Sequence, residues 1–586
     1  MKNDYIVRTL YRSFVIVSIL TALTATAGIL VDNIIIGHFL GLDALGAMGI
    51  VGPIGLIFSA IGNICSGGGT ARAAQALGKG DREQMCKTFT TTLLFALMAG
   101  ATITAFGLVF TPQIADFLGA DGTLKVPTEQ YLYGYFLSAI PTIIMTALMG
   151  FVRIDGSAKL PLVCIAVMTV SNIVMDLMMA LVFRQGMFGM ALATTISYFL
   201  AAMTGCLHFI KKYNSLRILF PKNIWKELYR IITVGAPTSI VRISETIKFT
   251  LLNNLLAASV GAAALVALNV RTQAFNLLGA LVVGIGQASI PIVGMFFGEE
   301  DRNALSDVLH AAFRIGLIIT LPIAAVLLMF PTLIPAMLGV TDPATMKMAT
   351  SAIRIFALGM PISLGNTVLM NFYQSTRREK LASLICVLQS LVYPVTFAFI
   401  LLALLNITGV WVALFLGELL TLLTITLHAA RKDKKIPRSL DYFMLFSRDF
   451  GGDSKNRLEI SIGNSMDEVM LISRTIHQFG KEHGINQKLL GKISLFIEEM
   501  AGNVVQHSFR PGEKKWLDMM ILNKKDSIVI RLRDNGTGFD PTKYVNIPAD
   551  NGSQEQYGIK IVSSFADRFE YRRNMGLNVL IMTLNK

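Results

Sequence analysis

Long apolar stretches separated by short polar loops occupy the chain up to about residue 430. Twelve of them reach about 20 residues, the length that an α-helix needs to cross the hydrocarbon core of a bilayer. They predict spans at 13–38, 45–68, 88–110, 130–152, 160–183, 187–210, 231–258, 263–288, 312–334, 348–375, 381–404 and 408–429. The pattern therefore predicts a polytopic α-helical membrane protein with twelve spans.

The pattern changes after residue 456, where short alternating strands and amphipathic helices replace the long apolar runs. Alternation with a period of two predicts strands at 457–462, 515–523, 526–533, 568–573 and 577–584. A helical period predicts helices at 466–483, 486–507 and 558–566. Helices grouped beside hairpin-connected strands indicate a separate α+β sandwich domain with one helical layer.

Charge separates the same two parts. Residues 1–430 carry 46 charged side chains, about 11%, whereas residues 431–586 carry 44, about 28%. The chain as a whole is 53% hydrophobic with a mean hydropathy of +0.58, which excludes a purely soluble protein. We therefore place a linker at 431–456, ending in the flexible sequence GGDSKN (451–456), and a domain at 457–586.

Basic residues indicate how the spans are oriented. Lysine and arginine are concentrated in alternating loops, while the opposite loops hold only Lys125, Arg184 and Lys347. Because cytoplasmic loops carry the excess of basic residues, both termini are expected in the cytoplasm of a multi-pass protein of the cell membrane. The net charge of +14 fits this loop bias, and no nucleic acid is expected as a partner.

The apolar part repeats itself at an offset of about 220 residues. The clearest match is GKGDR (78–82) with GEEDR (298–302). Six spans in each half define an N-lobe at 1–220 and a C-lobe at 221–430, with both halves starting on the same side. Repeats of this kind enclose a substrate path between two lobes, which favours a secondary transporter.

Three motifs in this part point to one family. They are LVDNIIIGHFLGLDALGAMGIVGPI (30–54), GGGTARAAQALGKGDR (67–82) and RIDGSAKLP (153–161). With them, nearly all of residues 10–430 resemble the multidrug and toxic compound extrusion (MATE) family. The resemblance implies two six-helix lobes that export cationic or amphipathic drug-like molecules in exchange for inward Na⁺ or H⁺.

Polar groups inside the predicted spans are candidate sites, because a carboxylate in hydrocarbon survives only beside a partner, a cavity or a cation. Asp32 lies late in the first span, and Asn172 and Asp176 share one face of the fifth because they are four residues apart. Thr194 adds a hydroxyl in the sixth span. The resemblance implies that these four residues form a coupling-cation site in the N-lobe. The alternative is that they bridge packed helices.

A second candidate lies in the seventh span, at Glu245. The resemblance implies a C-lobe cation site at this position in one branch of the family. Arg242 and Lys248 lie three residues to either side, so an ion pair is the alternative.

Three further polar residues occur in the C-lobe spans. Asn366 stands in the tenth span where that branch of the family has an aspartate. Arg271 and Glu418 also lie inside spans and are interpreted as structural pairing across helices.

Three motifs of the C-terminal domain are typical of a nucleotide site. EEMAGNVVQHS (498–508) places Glu499 and Asn503 on one helical face, where an acid and an amide suit a Mg²⁺ that bridges phosphates. DNGTGFDP (534–541) ends a strand with an aspartate and two glycines that let the backbone approach a ligand. YGIKIVSSFADRF (557–569) places Gly558 at a helix start, which favours a phosphate.

Together these motifs resemble the N, G1 and G2 boxes of the GHKL ATP-binding fold, and residues 465–499 resemble its anti-sigma-factor serine kinase branch. The resemblance implies ATP and Mg²⁺ as cofactors. In it, Asp534 receives the adenine amino group, Asn503 holds Mg²⁺ and Glu499 is the catalytic base. The pocket is shaped by Gly536, Gly538 and Gly558. One departure is Gln556, where the G2 box usually has a glycine.

Three functions compete on these grounds. The first is a cation-coupled exporter whose cytosolic ATP-binding domain regulates it or phosphorylates a serine of a cytosolic partner protein. The second is a membrane receptor whose spans sense a ligand and control the kinase-like domain. A primary ATP-driven pump is disfavoured, because the chain has no GxxxxGKS/T loop. The membrane carboxylates favour the exporter.

Overall fold

The computed structural model describes residues 5–157, 159–210, 214–433, 438–447, 450–451, 456–463, 465–509, 515–544 and 554–586. The linker expected at 431–456 lies partly outside these residues. The chain forms two compact units. The helical unit comprises Tyr11–Glu299 and Val308–Leu445, and the C-terminal unit comprises Met1–Leu10, Glu300–Asp307 and Phe446–Lys586.

The first part of the chain is helical, as predicted. Its α-helices are α1 (Tyr5–Phe39), α2 (Leu42–Asn63), α3 (Thr70–Lys79), α4 (Arg82–Phe117), α5 (Lys125–Leu137), α6 (Ala139–Ile154), α7 (Leu160–Leu177), α8 (Gly186–Cys206), α9 (Ile224–Ser259), α10 (Ala262–Gly298), α11 (Arg302–Met329), α12 (Leu333–Met337), α13 (Pro343–Ser375), α14 (Glu379–Val387), α15 (Tyr393–Leu405) and α16 (Ile407–Asp433).

Membrane-crossing capacity can be judged from length and apolar content. Among the described residues, ten helical stretches are long and apolar enough to cross a bilayer. An eleventh is present if α5 and α6, which meet at a bend of 45°, count as one span. The predicted span at 231–258 falls in α9, which is long enough but carries Arg242, Glu245 and Lys248 and is not in this set.

Two π-helical turns interrupt spans close to the polar groups singled out above. Met178–Phe183 follows α7 and begins two residues after Asp176, and Leu388–Val392 separates α14 from α15. Such turns widen the helix locally and are frequent at functional sites.

The two copies of the repeated sequence motif meet in the structure. A β-carbon on Gly78, at the end of α3, would lie 2.0 Å from the carbonyl oxygen of Met295 in α10. The equivalent glycine of the second copy, Gly298, would place one 2.2 Å from the carbonyl oxygen of Gln75 in α3. Only glycine permits this approach, so each copy packs its glycine against the backbone of the other half.

The C-terminal unit has the α+β architecture that the pattern predicted. Its helices are α17 (Met466–Glu482), α18 (Gln487–Asn503) and α19 (Gln554–Ser564), and its strands are β1 (Arg457–Ile462), β2 (Leu517–Asn523), β3 (Ser527–Asp534), β4 (Arg568–Asn574) and β5 (Leu577–Asn585). The strands form one antiparallel sheet in the order β1-β2-β3-β5-β4. A two-residue turn joins β4 to β5, and its second residue, Gly576, has a φ of 83° that glycine adopts without strain.

Strand alternation gives the sheet two different faces. Apolar side chains of one face, such as Ile528, Ile530 and Leu532 of β3, form a core with the helices. The intervening positions are largely polar on β1, β2 and β3, and we call this set the polar sheet face. Its members are Arg457, Glu459, Ser461, Asp518, Arg531 and Arg533.

Candidate functional site

The last turn of α18 carries the first pair of predicted nucleotide residues. Glu499 and Asn503 are both half-buried and lie one turn apart. The chain then continues as a π-helical turn at Val504–Ser508. The side-chain nitrogen of Asn503 is buried and has no hydrogen-bond partner in the described part of the chain. A buried amide of this kind is suited to a polar ligand, because it has lost water without gaining a protein partner.

Asp534 ends β3 on the helix-covered face of the sheet and is only 5% exposed. Its Oδ1 accepts hydrogen bonds from the Gly536 backbone nitrogen at 2.8 Å and from Asn578 Nδ2 at 2.9 Å. Burial raises the pKa of the Asp534 carboxyl to about 6, although these two hydrogen bonds oppose the increase. The carboxylate is therefore predominantly ionised at pH 7 and can accept a hydrogen bond from a ligand through its other oxygen.

The three predicted glycines each allow a close approach. A β-carbon on Gly536 would lie 2.6 Å from the carbonyl oxygen of Ser508, and one on Gly558 would lie 2.0 Å from Glu499 Oε2. A β-carbon on Gly538 would lie 1.7 Å from a terminal nitrogen of Arg573.

A backbone hydrogen bond joins two of the nucleotide motifs directly. The Thr537 amide donates to the Ser508 carbonyl at 3.0 Å. The structure thus brings the three motifs of the C-terminal domain together. The departure at Gln556 concerns a side chain outside the described set.

Asn578 was not singled out from the sequence. Its Nδ2 also donates to the Thr537 carbonyl at 2.9 Å, and its Oδ1 accepts from the Tyr571 hydroxyl at 2.7 Å. It lies directly opposite Asp534 in the β3–β5 pairing. Only this pairing register could have indicated its role.

Polar groups inside the helical unit form a cluster between α1 and α7. Asn172 Nδ2 donates to Asp32 Oδ1 and to Asp176 Oδ2, both at 2.8 Å. The carboxyl groups of Asp32 and Asp176 therefore lie on the same amide nitrogen. Asp176 is 1% exposed, and its Oδ1 has no partner among the described residues. Two carboxyl groups held beside one amide favour a shared proton or a cation between them, since two negative charges repel.

The sixth predicted span contributes a second hydroxyl, which was not singled out from the sequence. Ser197 Oγ donates to Asn172 Oδ1 at 2.9 Å, whereas the Thr194 hydroxyl donates to the Met190 carbonyl of its own helix at 3.3 Å. Ser197 was missed, although its position three residues after Thr194 places both on one side of α8.

Glu245 lies apart from this cluster and forms an ion pair with Lys248 at 2.7 Å. It lines a cavity of about 1270 Å³, counted with its opening to solvent, that also contains Arg271 and Glu418. The Arg271 guanidinium lies over the rings of Phe275 and Phe356, at 5.4 and 5.6 Å from their centroids.

Glu418 is the carboxylate that connects the C-lobe helices. Asn366 Nδ2 donates to Glu418 Oε2 at 2.9 Å, and Gln389 Nε2 donates to the same oxygen at 2.7 Å. Asn366, which stands where an aspartate was expected, thus binds an acid supplied by α16. Sequence reasoning assigned Glu418 to structural pairing and did not connect it with Asn366.

Comparisons with known proteins add two independent matches. Residues 18–178 and 237–400 match the MatE family, and residues 464–584 match the histidine kinase-like ATPase domain. The multidrug export protein MepA of Staphylococcus aureus (strain bovine RF122 / ET3-1) is 26% identical over 404 residues, which cover 68% of this chain and 88% of MepA. The protein of the same name from Staphylococcus haemolyticus (strain JCSC1435) is 23% identical over 386 residues, covering 65% and 84%.

Solved structures share the fold of the helical part. One is described as the outward-facing conformation of a multidrug resistance MATE family transporter. It aligns with a TM-score of 0.67 at 20% identity, over 71% of this chain and 94% of its own. Another, described as MATE in the bent conformation, aligns with a TM-score of 0.66 at 20% identity, over 72% and 96%.

Proposed function

The chain belongs to the MatE family, and from this premise we propose that it is a cation-coupled antiporter with an attached nucleotide-dependent regulatory domain. The helical part, divided into lobes at 1–220 and 221–430, exports small organic compounds of cationic or amphipathic character. Inward movement of Na⁺ or H⁺ supplies the energy. The domain at 457–586 lies in the cytosol with both termini, and the linker at 431–456 joins the two.

The observation that carries the proposal is the contact among Asp32, Asn172 and Asp176. The two carboxyl groups bind one proton or one Na⁺ between them, and Asn172 holds them in place. Thr194 adds a further oxygen on the neighbouring helix. Release of the ion leaves two adjacent negative charges, so the emptied cluster must rearrange, which provides the link between ion movement and conformation.

The cavity around Glu245 suits the exported compound. Its aromatic walls, among them Phe275, Phe356 and Trp411, bind flat apolar groups, and its carboxylates bind positive charge. Glu245 is the second proposed coupling residue. It acts by exchanging Lys248 for the coupling ion or for a cationic substrate.

ATP and Mg²⁺ fit the C-terminal site. Asp534 offers an ionised acceptor to the adenine amino group, and Asn503 would hold Mg²⁺ through its side-chain oxygen, while its unpartnered buried nitrogen would donate to a phosphate oxygen. Gly536, Gly538 and Gly558 keep β-carbons out of the pocket. Bound ATP would supply a transferable phosphoryl group, and Glu499 would accept the proton of an attacking hydroxyl.

The nucleotide domain has two possible outputs. It regulates the antiporter according to nucleotide occupancy, or it phosphorylates a serine of a cytosolic partner protein, as the resemblance to anti-sigma-factor kinases implies. Glu499 is needed only for phosphorylation, whereas Asn503 and Asp534 are needed for both. The variants Glu499→Gln and Asn503→Ala therefore separate the two outputs.

The test is dye efflux from cells that express the wild type or a variant at equal levels. We expect Asp32→Asn and Asp176→Asn to abolish efflux and Glu245→Gln to reduce it. Asn503→Ala should change regulation but leave efflux. The control is Asp116→Asn, which removes an exposed acid paired with Lys125 at 2.6 Å.

Efflux that survives both N-lobe substitutions would refute coupling through this cluster. Ligand-dependent phosphorylation without net transport would instead support the receptor function. Unchanged Mg-ATP affinity in Asn503→Ala would show that the nucleotide site is misplaced.

A further inference from the structure

The segment Glu300–Asp307, between α10 and α11, is part of the C-terminal unit although it lies about 140 residues before that domain in the sequence. Its key residue is Asp301, which is 2% exposed. Three arginines of the polar sheet face bind its carboxylate: Arg457 at 2.9 Å, Arg531 at 2.6 Å and Arg533 at 3.4 Å. The strands of the ATPase-like domain thus hold the loop directly.

The same residue begins a membrane helix. Asp301 Oδ1 accepts from the Ala304 backbone nitrogen at 3.1 Å, which caps the first turn of α11. In that turn, Asn303 Nδ2 donates to Glu459 Oε2 of β1 at 2.8 Å. The first turn of α11 is therefore fixed to β1 and β3, and the same helix continues from Val308 into the helical unit.

Comparison of the two copies of the internal repeat shows which contacts of Asp301 are absent from its counterpart in the first copy. GKGDR (78–82) aligns with GEEDR (298–302), so Asp81 is the counterpart of Asp301. Asp81 also caps its helix, by accepting from the Gln84 backbone nitrogen at 2.9 Å. It is exposed, however, and has no ion pair in the described part of the chain. Capping accounts for an aspartate in both copies, but it does not account for the three arginines.

Burial by itself would raise the pKa of Asp301, but Arg531, Arg533 and Arg457 together hold it well below its ordinary range. The group is therefore ionised at any physiological pH. Glu459 and Asp518 also lie beside these arginines, at Arg457 and at Arg533. The loop is thus held by a buried charge network, which tolerates only discrete arrangements.

Strand β3 connects this network with the nucleotide site. Arg531 and Arg533 project from the polar sheet face, while Asp534, the next residue, projects from the opposite face into the nucleotide pocket. A ligand that shifts the backbone of Asp534 also shifts that of Arg533, because the two residues share one peptide unit. Arg531, the other β3 arginine that binds Asp301, lies two residues before Arg533 on the same strand.

We propose that Asp301 is the residue through which the nucleotide site controls transport, by an arginine anchor that holds the start of α11 in a nucleotide-dependent position. The inference rests on the proposed binding of ATP to the C-terminal domain. Occupancy of the pocket shifts the end of β3, the arginines carry the shift to Asp301, and α11 transmits it to the C-lobe. The partner of the polar sheet face is therefore a loop of the transporter itself.

The experiment uses the full-length protein in liposomes with an imposed ion gradient, and it compares dye transport with and without a non-hydrolysable ATP analogue on both sides of the bilayer. Asp301→Asn removes the charge but keeps an oxygen for the helix cap. Asp81→Asn makes the same change at the counterpart without arginines. Nucleotide affinity of each variant is measured on the same preparations.

We expect the analogue to change the wild-type rate by at least about fivefold, the lower range of coupling between distant sites. Asp81→Asn should respond like the wild type. Asp301→Asn should lose the response while its nucleotide affinity stays unchanged. A full response in Asp301→Asn would overturn the proposal.

A second variant guards against misfolding. If Asp301→Asn loses nucleotide binding altogether, the double variant Arg531→Gln/Arg533→Gln decides, because it removes both β3 arginines that bind Asp301. A full response in that variant would also overturn the proposal. A wild type that binds the analogue without any change in rate refutes the anchor but not nucleotide binding, whereas a wild type that binds no nucleotide refutes the proposed function of the domain.

Discussion

Replacing Asp534 by asparagine should weaken nucleotide binding and at the same time stabilise the C-terminal domain. The carboxylate is buried, and its Oδ1 is already occupied by Gly536 and Asn578. Asparagine keeps an oxygen for these two donors but turns an amino group towards the pocket. That group meets the adenine amino group donor to donor, and we expect affinity to fall about 10- to 100-fold.

The stabilisation follows from the ionisation of the wild-type residue. Burial raises the pKa of Asp534 from 3.8 to about 6, which disfavours the ionised folded state by about 3 kcal/mol at pH 8. Asparagine has no charge to bury. Because its hydrogen bonds are weaker than those of a carboxylate, we expect a net gain of about 1–2 kcal/mol.

The sign of the pH dependence is fixed by the direction of the pKa change. A raised folded-state pKa means that the wild type keeps its full stability below pH 3.8 and loses it as pH rises through about 6. The ionisation penalty at pH 5 is about half of that at pH 8. The advantage of Asp534→Asn should therefore be largest at pH 8 and shrink as the pH falls.

Hydrogen exchange of the β3 amides in the full-length protein in nanodiscs measures this advantage without nucleotide. Protection is corrected for the intrinsic exchange rate at each pH, and affinity is measured with a fluorescent ATP analogue. A variant that is less stable than the wild type at pH 8, or a difference that does not change with pH, would refute the argument from buried charge. Undiminished affinity would refute Asp534 as the adenine acceptor.

Three further predictions test the geometry of the other groups. Gly558→Ala would place a methyl group 2.0 Å from Glu499 Oε2, so either α19 or the Glu499 side chain must move. Nucleotide affinity, measured by fluorescence titration, should therefore fall about tenfold. Normal affinity would contradict the close approach. Asn172→Ala removes the donor shared by Asp32 and Asp176 at a loss of about 1.5–3 kcal/mol for each charged hydrogen bond, and dye efflux should fall at least about tenfold. Ser197→Ala removes hydrogen bonds to Asn172 and to the Thr194 carbonyl but none to either carboxylate, so it should retain most efflux. Glu418→Gln should reduce efflux more than Glu245→Gln at equal expression, because Glu245 forms a direct ion pair with Lys248 at 2.7 Å whereas Glu418 Oε2 accepts hydrogen bonds from the neutral amides of Asn366 and Gln389. Equal effects would contradict this ranking.

Elements of the C-terminal domain were predictable because they depend on local periodicity. Every predicted strand and helix between 457 and 584 is present, and most of their ends lie within two residues of the expected positions. The exceptions are the end of α18, at Asn503 instead of 507, and the start of α19, at Gln554 instead of 558. The pairing of Glu499 with Asn503 followed from helical spacing alone. Span positions in the helical part followed from hydropathy in the same way, except that the polar residues of α9 make that span weak by composition.

Contacts between distant segments were not predictable. Asn578 is 44 residues from Asp534, and their meeting depends on the β3–β5 register. Glu418 is 52 residues from Asn366, and their contact depends on how two helices are rotated about their axes. Neither the strand register nor the rotation of a helix about its axis produces a periodic pattern in the sequence.

The sequence by itself determined where this protein forms helices and strands, where its apolar part ends, and which motifs resemble a transporter and an ATP-binding domain. Those properties reside in neighbouring residues, whose spacing fixes the face on which each side chain lies. Only the tertiary structure decided that Asp32 and Asp176 share one amide, and that Asp301 meets arginines 156 and 230 residues away. The reason is physical: a buried charge is stabilised by whatever the fold brings beside it, and that partner can come from any part of the chain.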